Sequence, residues 1–242
     1  MAREVSIEAA LAPHPLNAIY WSMIALVLYA VGAWTLVGLF YPTGEGGDAD
    51  LPLGHTTIIS TLIAFALLAR LCGWAEKVTG TPFAGSLYAN SNWLGAAALS
   101  GPIVLTGSFL IIGSLLGGDD PSWAYNDSAN TDLFTKANIG VSMMLYVVVL
   151  APLIEEISFR GIALGCLLGR GTHPYVAIVI TALGFAALHT QYSPLGLLAV
   201  FVTGLFFGWL RVASGTISVP IAAHMAANAV SLWFLWMSPD AV

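Results

Sequence analysis

The sequence predicts an all-α protein, a polytopic transmembrane helical bundle of about seven spans, each of roughly 20 apolar residues. Three observations predict it. Of the 242 residues, 58% are hydrophobic and 8% are charged, whereas soluble domains carry about 25% charged residues. Such a composition cannot cover a water-facing surface. The uncharged runs are also long: 15–44, 56–69, 94–118, 137–154, 174–210 and 212–239 hold no Asp, Glu, Lys or Arg. Finally, Tyr20, Trp21, Tyr41, Trp74, Trp93, Tyr175, Tyr192 and Trp236 lie near the ends of these runs, where aromatic belts meet the membrane–water boundary.

The spans are placed at 17–40, 56–75, 94–118, 137–168, 174–190, 195–213 and 217–238. All are expected to be helices, because in lipid every backbone donor and acceptor needs an internal partner. The first follows a segment of mixed charge (Arg3, Glu4, Glu8) and is too long for the apolar core of a cleaved signal. The turn at 191–194 divides the fifth from the sixth. The fourth is interrupted by charges and carries Gly161, Gly165 and Gly169 at four-residue spacing. Gly204 and Gly208 repeat that spacing in the sixth. Small residues so spaced let helix backbones approach closely. No internal repeat or second domain is visible, so 1–242 is read as a single transmembrane domain.

The loops alternate in charge. Glu45, Asp48 and Asp50 lie in 42–55, and Asp119, Asp120, Asp127 and Asp132 in 119–136 with Lys136. Arg3, Arg70, Lys77, Arg170 and Arg211 fall on the opposite side. The positive-inside rule then places the N-terminus in the cytoplasm. The compact chain, without organellar targeting, is expected in a prokaryotic cytoplasmic (inner) membrane. A net charge of −6 without a basic patch excludes nucleic acid as a partner. Cys72 and Cys166 lie in or beside apolar runs and read as packing residues, with no disulfide framework.

Chemistry concentrates in three short segments. Glu155, Glu156 and Arg160 lie within the fourth apolar region. Charges at membrane depth are costly, are normally paired and mark functional sites. Glu156 and Arg160 are four apart and share a helix face. Glu155, about 100° around the helix, is left over. Phe185 and His189 share a face of the fifth span, and His224 and Asn228 share one of the seventh, with alanines between them. At 1.5 Å per residue, Glu155 lies about 22 Å above Arg170, and His189 about 22 Å above Pro174. On the same scale Asn228 lies about 17 Å and His224 about 10 Å above Ile217. These depths bring the groups to a similar level. His14, His55 and His173 read as surface residues.

A carboxylate, two imidazoles and an amide in a water-reaching cavity suit amide hydrolysis. Glu155, helped by His189, would take a proton from the attacking water. His224 and Asn228 would donate to the developing oxyanion. Arg160 would hold Glu156. The same side chains leave a second chemistry open: Glu155, His189 and His224 as zinc ligands with one open position. The spacing lacks HExxH, and the His224–Asn228 pairing favours the metal-free version.

The segments Glu155-Glu156-x-x-x-Arg160, Phe185-x-x-x-His189 and His224-x-x-x-Asn228, in this order and inside apolar spans, resemble the CAAX prenyl protease and bacteriocin-processing family (CPBP, Abi or type II CAAX proteases). The resemblance covers 137–238. It implies an intramembrane endopeptidase acting on a membrane-associated or prenylated-type protein or peptide. Glu155 would be its catalytic carboxylate, His189 the partner, Glu156 and Arg160 motif support, and His224 and Asn228 the completion of the site. The family is described both as metalloproteases and as glutamate proteases, so the cofactor expectation stays between none and zinc. Expected partners are membrane lipids and the substrate. Two rivals remain open. In one, the chain is a non-catalytic scaffold or accessory subunit of a larger membrane complex. In the other, a proton-coupled transporter uses Glu155, Glu156 and His189 as a relay, though transporters tend to show internal repeats. The segment 118–136, with Trp123 and Tyr125, is placed as a lid beside the fourth span.

Overall fold

The computed structural model describes residues 89–117, 124, 144–169 and 171–237, apart from the side chain of Leu235. The spans expected at 17–40 and 56–75, Cys72, and the segment 118–136 apart from Ala124 lie outside the described residues. Everything regular among the described residues is helical.

Helix α1, Ser91–Ile112, opens on Asn90, whose side chain accepts the Asn92 backbone N–H at 2.9 Å. That cap satisfies a donor the first helical turn leaves open. The helix continues through a wide π turn, Gly113–Gly117. The fourth span is a composite. A π segment, Tyr146–Leu150, leads into α2, Ala151–Glu156. A second π segment, Ile157–Ala163, leads into α3, Leu164–Gly169. Single stretches of π-helix inside α-helices often occur at functional sites, and here one lies on each side of the paired glutamates.

Helix α4, Pro174–Ala187, and helix α5, Pro194–Ser214, each start on a proline, whose missing N–H costs nothing in a first turn. Ser193 caps α5, and Gly215 ends it at φ +69°, a left-handed conformation that suits glycine. Helix α6, Ser218–Met237, follows at once. Ser91–Gly117 and Pro194–Ser214 are long and apolar enough to cross a membrane. The fifth span, however, stops short of its expected end. Helix α4 closes at Ala187, so His189 lies in the turn beyond it, not on the helix.

Helix α6 packs most broadly on α1, α4 packs on α5, and α6 also touches Tyr146–Leu150 and α2. Glycines permit the tightest of these contacts. A Cβ on Gly101 would stand 2.1 Å from the Ala223 carbonyl oxygen, and one on Gly208 would stand 2.9 Å from Ile178 Cγ2. The glycine pattern is therefore borne out in α5, where Gly204 and Gly208 face α4. At Gly169, which ends α3, no such approach is seen among the described residues. Cys166 is buried, as a packing residue should be. His173 is exposed, with its ring against Tyr175.

Candidate active site

Arg160 is the hub of the site. Its side chain and that of Glu156 are both 0% exposed, and Nη1 donates to Glu156 Oε1 at 2.9 Å. The i, i+4 spacing read from the sequence makes this pair local. The other bond is not local: Nη2 donates to the Gly204 carbonyl on α5 at 2.9 Å. Three rings surround the guanidinium, at 4.4 Å (Phe185), 5.4 Å (Phe207) and 5.9 Å (Phe159) from its central carbon. A cation against aromatic faces gains further when water is excluded. One arginine thus ties the glutamate helix to α4 and α5.

Glu156 Oε1 also receives His224 Nδ1 at 2.9 Å, across 68 residues of sequence. An ionised carboxylate only accepts, so Nδ1 carries the proton and His224 Nε2 is the nitrogen turned to the site. That nitrogen lies 3.8 Å from Glu155 Oε2. Phe207 stacks on the His224 ring at 4.8 Å, and Phe185 meets it edge-on at 5.8 Å. Among the described residues, Glu156 Oε2 and Arg160 Nε have no hydrogen-bond partner.

Glu155 differs from its neighbour. Its side chain is 26% exposed. It is the more exposed of the two carboxylates and lies outside the Glu156–Arg160 pair, as the helix geometry implied. His189 is partly buried, and its Nδ1 is 2.8 Å from the Phe185 carbonyl oxygen. Its ring lies 4.5 Å from that of Phe185 and 6.2 Å from that of Tyr192. Phe185 therefore sits between the two imidazoles. The imidazole within ion-pair distance of Glu155 is His224; no bond joins His189 to Glu155 among the described residues. Asn228 Nδ2 donates to the Val147 carbonyl at 2.9 Å, across 81 residues of sequence.

The zinc expectation can be tested on this donor set. Glu155 and His224 converge, but His189 does not join them. Among the described residues, no group of three His, Cys, Asp or Glu side chains is arranged to hold a metal ion. As arranged, the three donors do not fit a zinc site. Three contributors were missed by sequence reading: Phe207, the Gly204 carbonyl and the Val147 carbonyl. Phe207 lies inside the Gly204–Gly208 stretch already singled out, but backbone carbonyls carry no sequence signal. From the segment 118–136, Ala124 is buried, and its carbonyl accepts the Ser193 N–H at 2.9 Å. That contact lies at the start of α5, beyond the His189 turn.

The described residues form an all-helical fold, with two helices long and apolar enough to cross a membrane and a buried acid–arginine–imidazole cluster beside one part-exposed carboxylate. The family model described as type II CAAX prenyl endopeptidase Rce1-like matches residues 137–230, and the chain belongs to this family, which implies a membrane-embedded protease. It is similar to an uncharacterized 24.3 kDa protein of Escherichia coli, 32% identical over 202 residues, covering 81% of this chain and 84% of that one. It is also similar to the uncharacterized protein YpbD of Bacillus subtilis, 30% identical over 113 residues, 46% of this chain and 54% of that one. No solved structure matches.

Proposed function

We propose that this protein is an intramembrane endopeptidase that hydrolyses a peptide bond of a membrane-associated protein or peptide, with Glu155 as the general base. The observation that carries this reading is the division of labour between adjacent glutamates. Glu156 is wholly buried and bonded to Arg160 and His224, whereas Glu155 is open and faces His224 Nε2 at 3.8 Å. A purely structural cluster has no use for the second acid.

In the proposed mechanism, a water beside Glu155 loses a proton to its carboxylate as the oxygen attacks the scissile carbonyl. With His224 protonated, Glu155, Glu156, Arg160 and His224 carry two negative and two positive charges. A buried set tolerates that balance far better than net charge. His224 Nε2–H then donates to the oxyanion, and Glu156 holds the ring for that task. His189, with its Nδ1–H donating to the Phe185 carbonyl, has Nε2 as the nitrogen that can take up a proton. Since His189 is not bonded to Glu155 among the described residues, it helps through an intervening water as the proton passes from Glu155 to the leaving amine, so that the C–N bond breaks with the amine protonated. No step requires a metal, and turnover that survives exhaustive chelation checks this.

The lengths of the apolar runs support a count of about seven spans for the whole chain. The alternating loop charge places the N-terminus in the cytoplasm of a bacterial-type inner membrane. Wild type and Glu155→Gln are compared in native membranes by quantitative terminal-peptide proteomics. Specific termini that vanish in the variant support the protease and name its substrate. If no terminus changes and the variant still supports the same complexes, a scaffold role replaces it.

A further inference from the structure

The partner of Asn228 is unusual, because Val147 lies in a helix and its carbonyl should need none. In an α-helix, Val147 would accept from the N–H of Ala151. That N–H instead bonds to the Tyr146 carbonyl, a five-residue step that belongs to the π segment. The corresponding π partner of Val147 is residue 152, which is a proline and has no N–H to give. The Val147 carbonyl is thus orphaned in both helical registers. A carbonyl left unpaired is costly in an apolar setting, and Asn228 Nδ2 takes up this part-buried one at 2.9 Å.

The position of this bond gives it a role. Helix α6 hydrogen-bonds the glutamate helix at two separated points, His224 with Glu156 and Asn228 with Val147. Moving up α6 from 224 to 228 moves down the glutamate helix from 156 to 147, so the two bonds pin an antiparallel pair at two points. A single bond would fix one point of contact and leave the helices free to slide and rotate about it.

We infer that Pro152 and Asn228 form a matched pair of positioning residues. The proline creates a carbonyl without a helical partner, and the amide of Asn228 takes it up, setting the register in which His224 meets Glu156 and faces Glu155. This goes beyond the proposed hydrolysis and does not depend on it, since the bond exists whether or not the site turns over.

The test is a thermal-unfolding cycle on purified full-length protein in detergent, using wild type, Asn228→Leu, Pro152→Ala and the double variant. Leucine keeps the branched heavy-atom shape of asparagine and removes the donor. Alanine at 152 restores an N–H in reach of the Val147 carbonyl in the existing π register. Asn228→Leu is expected to lower the melting temperature by roughly 3–8 °C in the Pro152 background, and by less than half of that in the Pro152→Ala background. Equal drops in the two backgrounds, or no drop in either, overturn the pairing. Should Pro152→Ala fail to fold, amide hydrogen exchange of wild type against Asn228→Leu decides. Faster exchange confined to peptides over Tyr146–Glu156, with Pro174–Ala187 unchanged, supports the pairing. Uniform acceleration, or none, overturns it.

Discussion

Two neighbouring parts of the site are built on opposite plans. In the buried knot of Glu156, Arg160 and His224, every member is bonded to another, and three helices are joined through it. At the rim, Glu155 is a quarter exposed, and His189 Nδ1 pairs with the Phe185 carbonyl in the last turn of α4, four residues back along its own chain. In the proposed mechanism the knot stays still and the rim meets water and substrate. Adjacent glutamates of identical chemistry thus acquire different work from burial alone. The comparison predicts that changes in the knot cost stability, whereas changes at the rim cost activity without stability.

The largest effect is expected at Glu155. Glu155→Gln should lower turnover by about 10²- to 10⁴-fold, the range for a general base, with the melting temperature unchanged. A large loss of stability in this variant would break the contrast. Arg160→Met should do the reverse. Removing one partner of a buried ion pair costs about 3–5 kcal/mol, here visible as a fall in thermal or denaturant midpoint together with lost activity. At the rim, His189→Gln should reduce turnover by roughly 10²-fold, the low end for proton transfer, again with the unfolding transition unmoved.

Two glycines sharpen the comparison at smaller scale. Gly101→Ala pushes a methyl into the Ala223 carbonyl, one residue from His224. Overpacking of this kind costs about 1–3 kcal/mol and should also reduce activity through His224. At Gly169, where none of the described residues lies within 4 Å of the added carbon, alanine should change stability by less than about 1 kcal/mol. Both are read from the unfolding midpoint in detergent.

Much of this site was legible in the sequence, and the reason is local geometry. Glu156 with Arg160, and His224 with Asn228, are four apart on helices, and charge inside an apolar run is conspicuous because lipid makes it costly. The spare carboxylate at Glu155 followed from the same helical period. Helix packing through Gly204 and Gly208 was readable for a similar reason. The early end of α4 was not: Leu188 continues the apolar pattern, but the chain turns there into the 191–194 segment, and His189 goes with it.

By itself, then, the sequence determined the membrane class, the order of the helices and the short-range pairs, all consequences of hydropathy and a 3.6-residue period. The tertiary structure decided the long-range pairings. It chose His224 over His189 as the imidazole facing the glutamates, joined Arg160 to the Gly204 carbonyl, and matched Asn228 to Val147 across the π turn before Pro152. Each depends on the depth and rotation of one helix against another. A shift of one residue, about 1.5 Å and 100°, would undo them while leaving every short-range spacing intact.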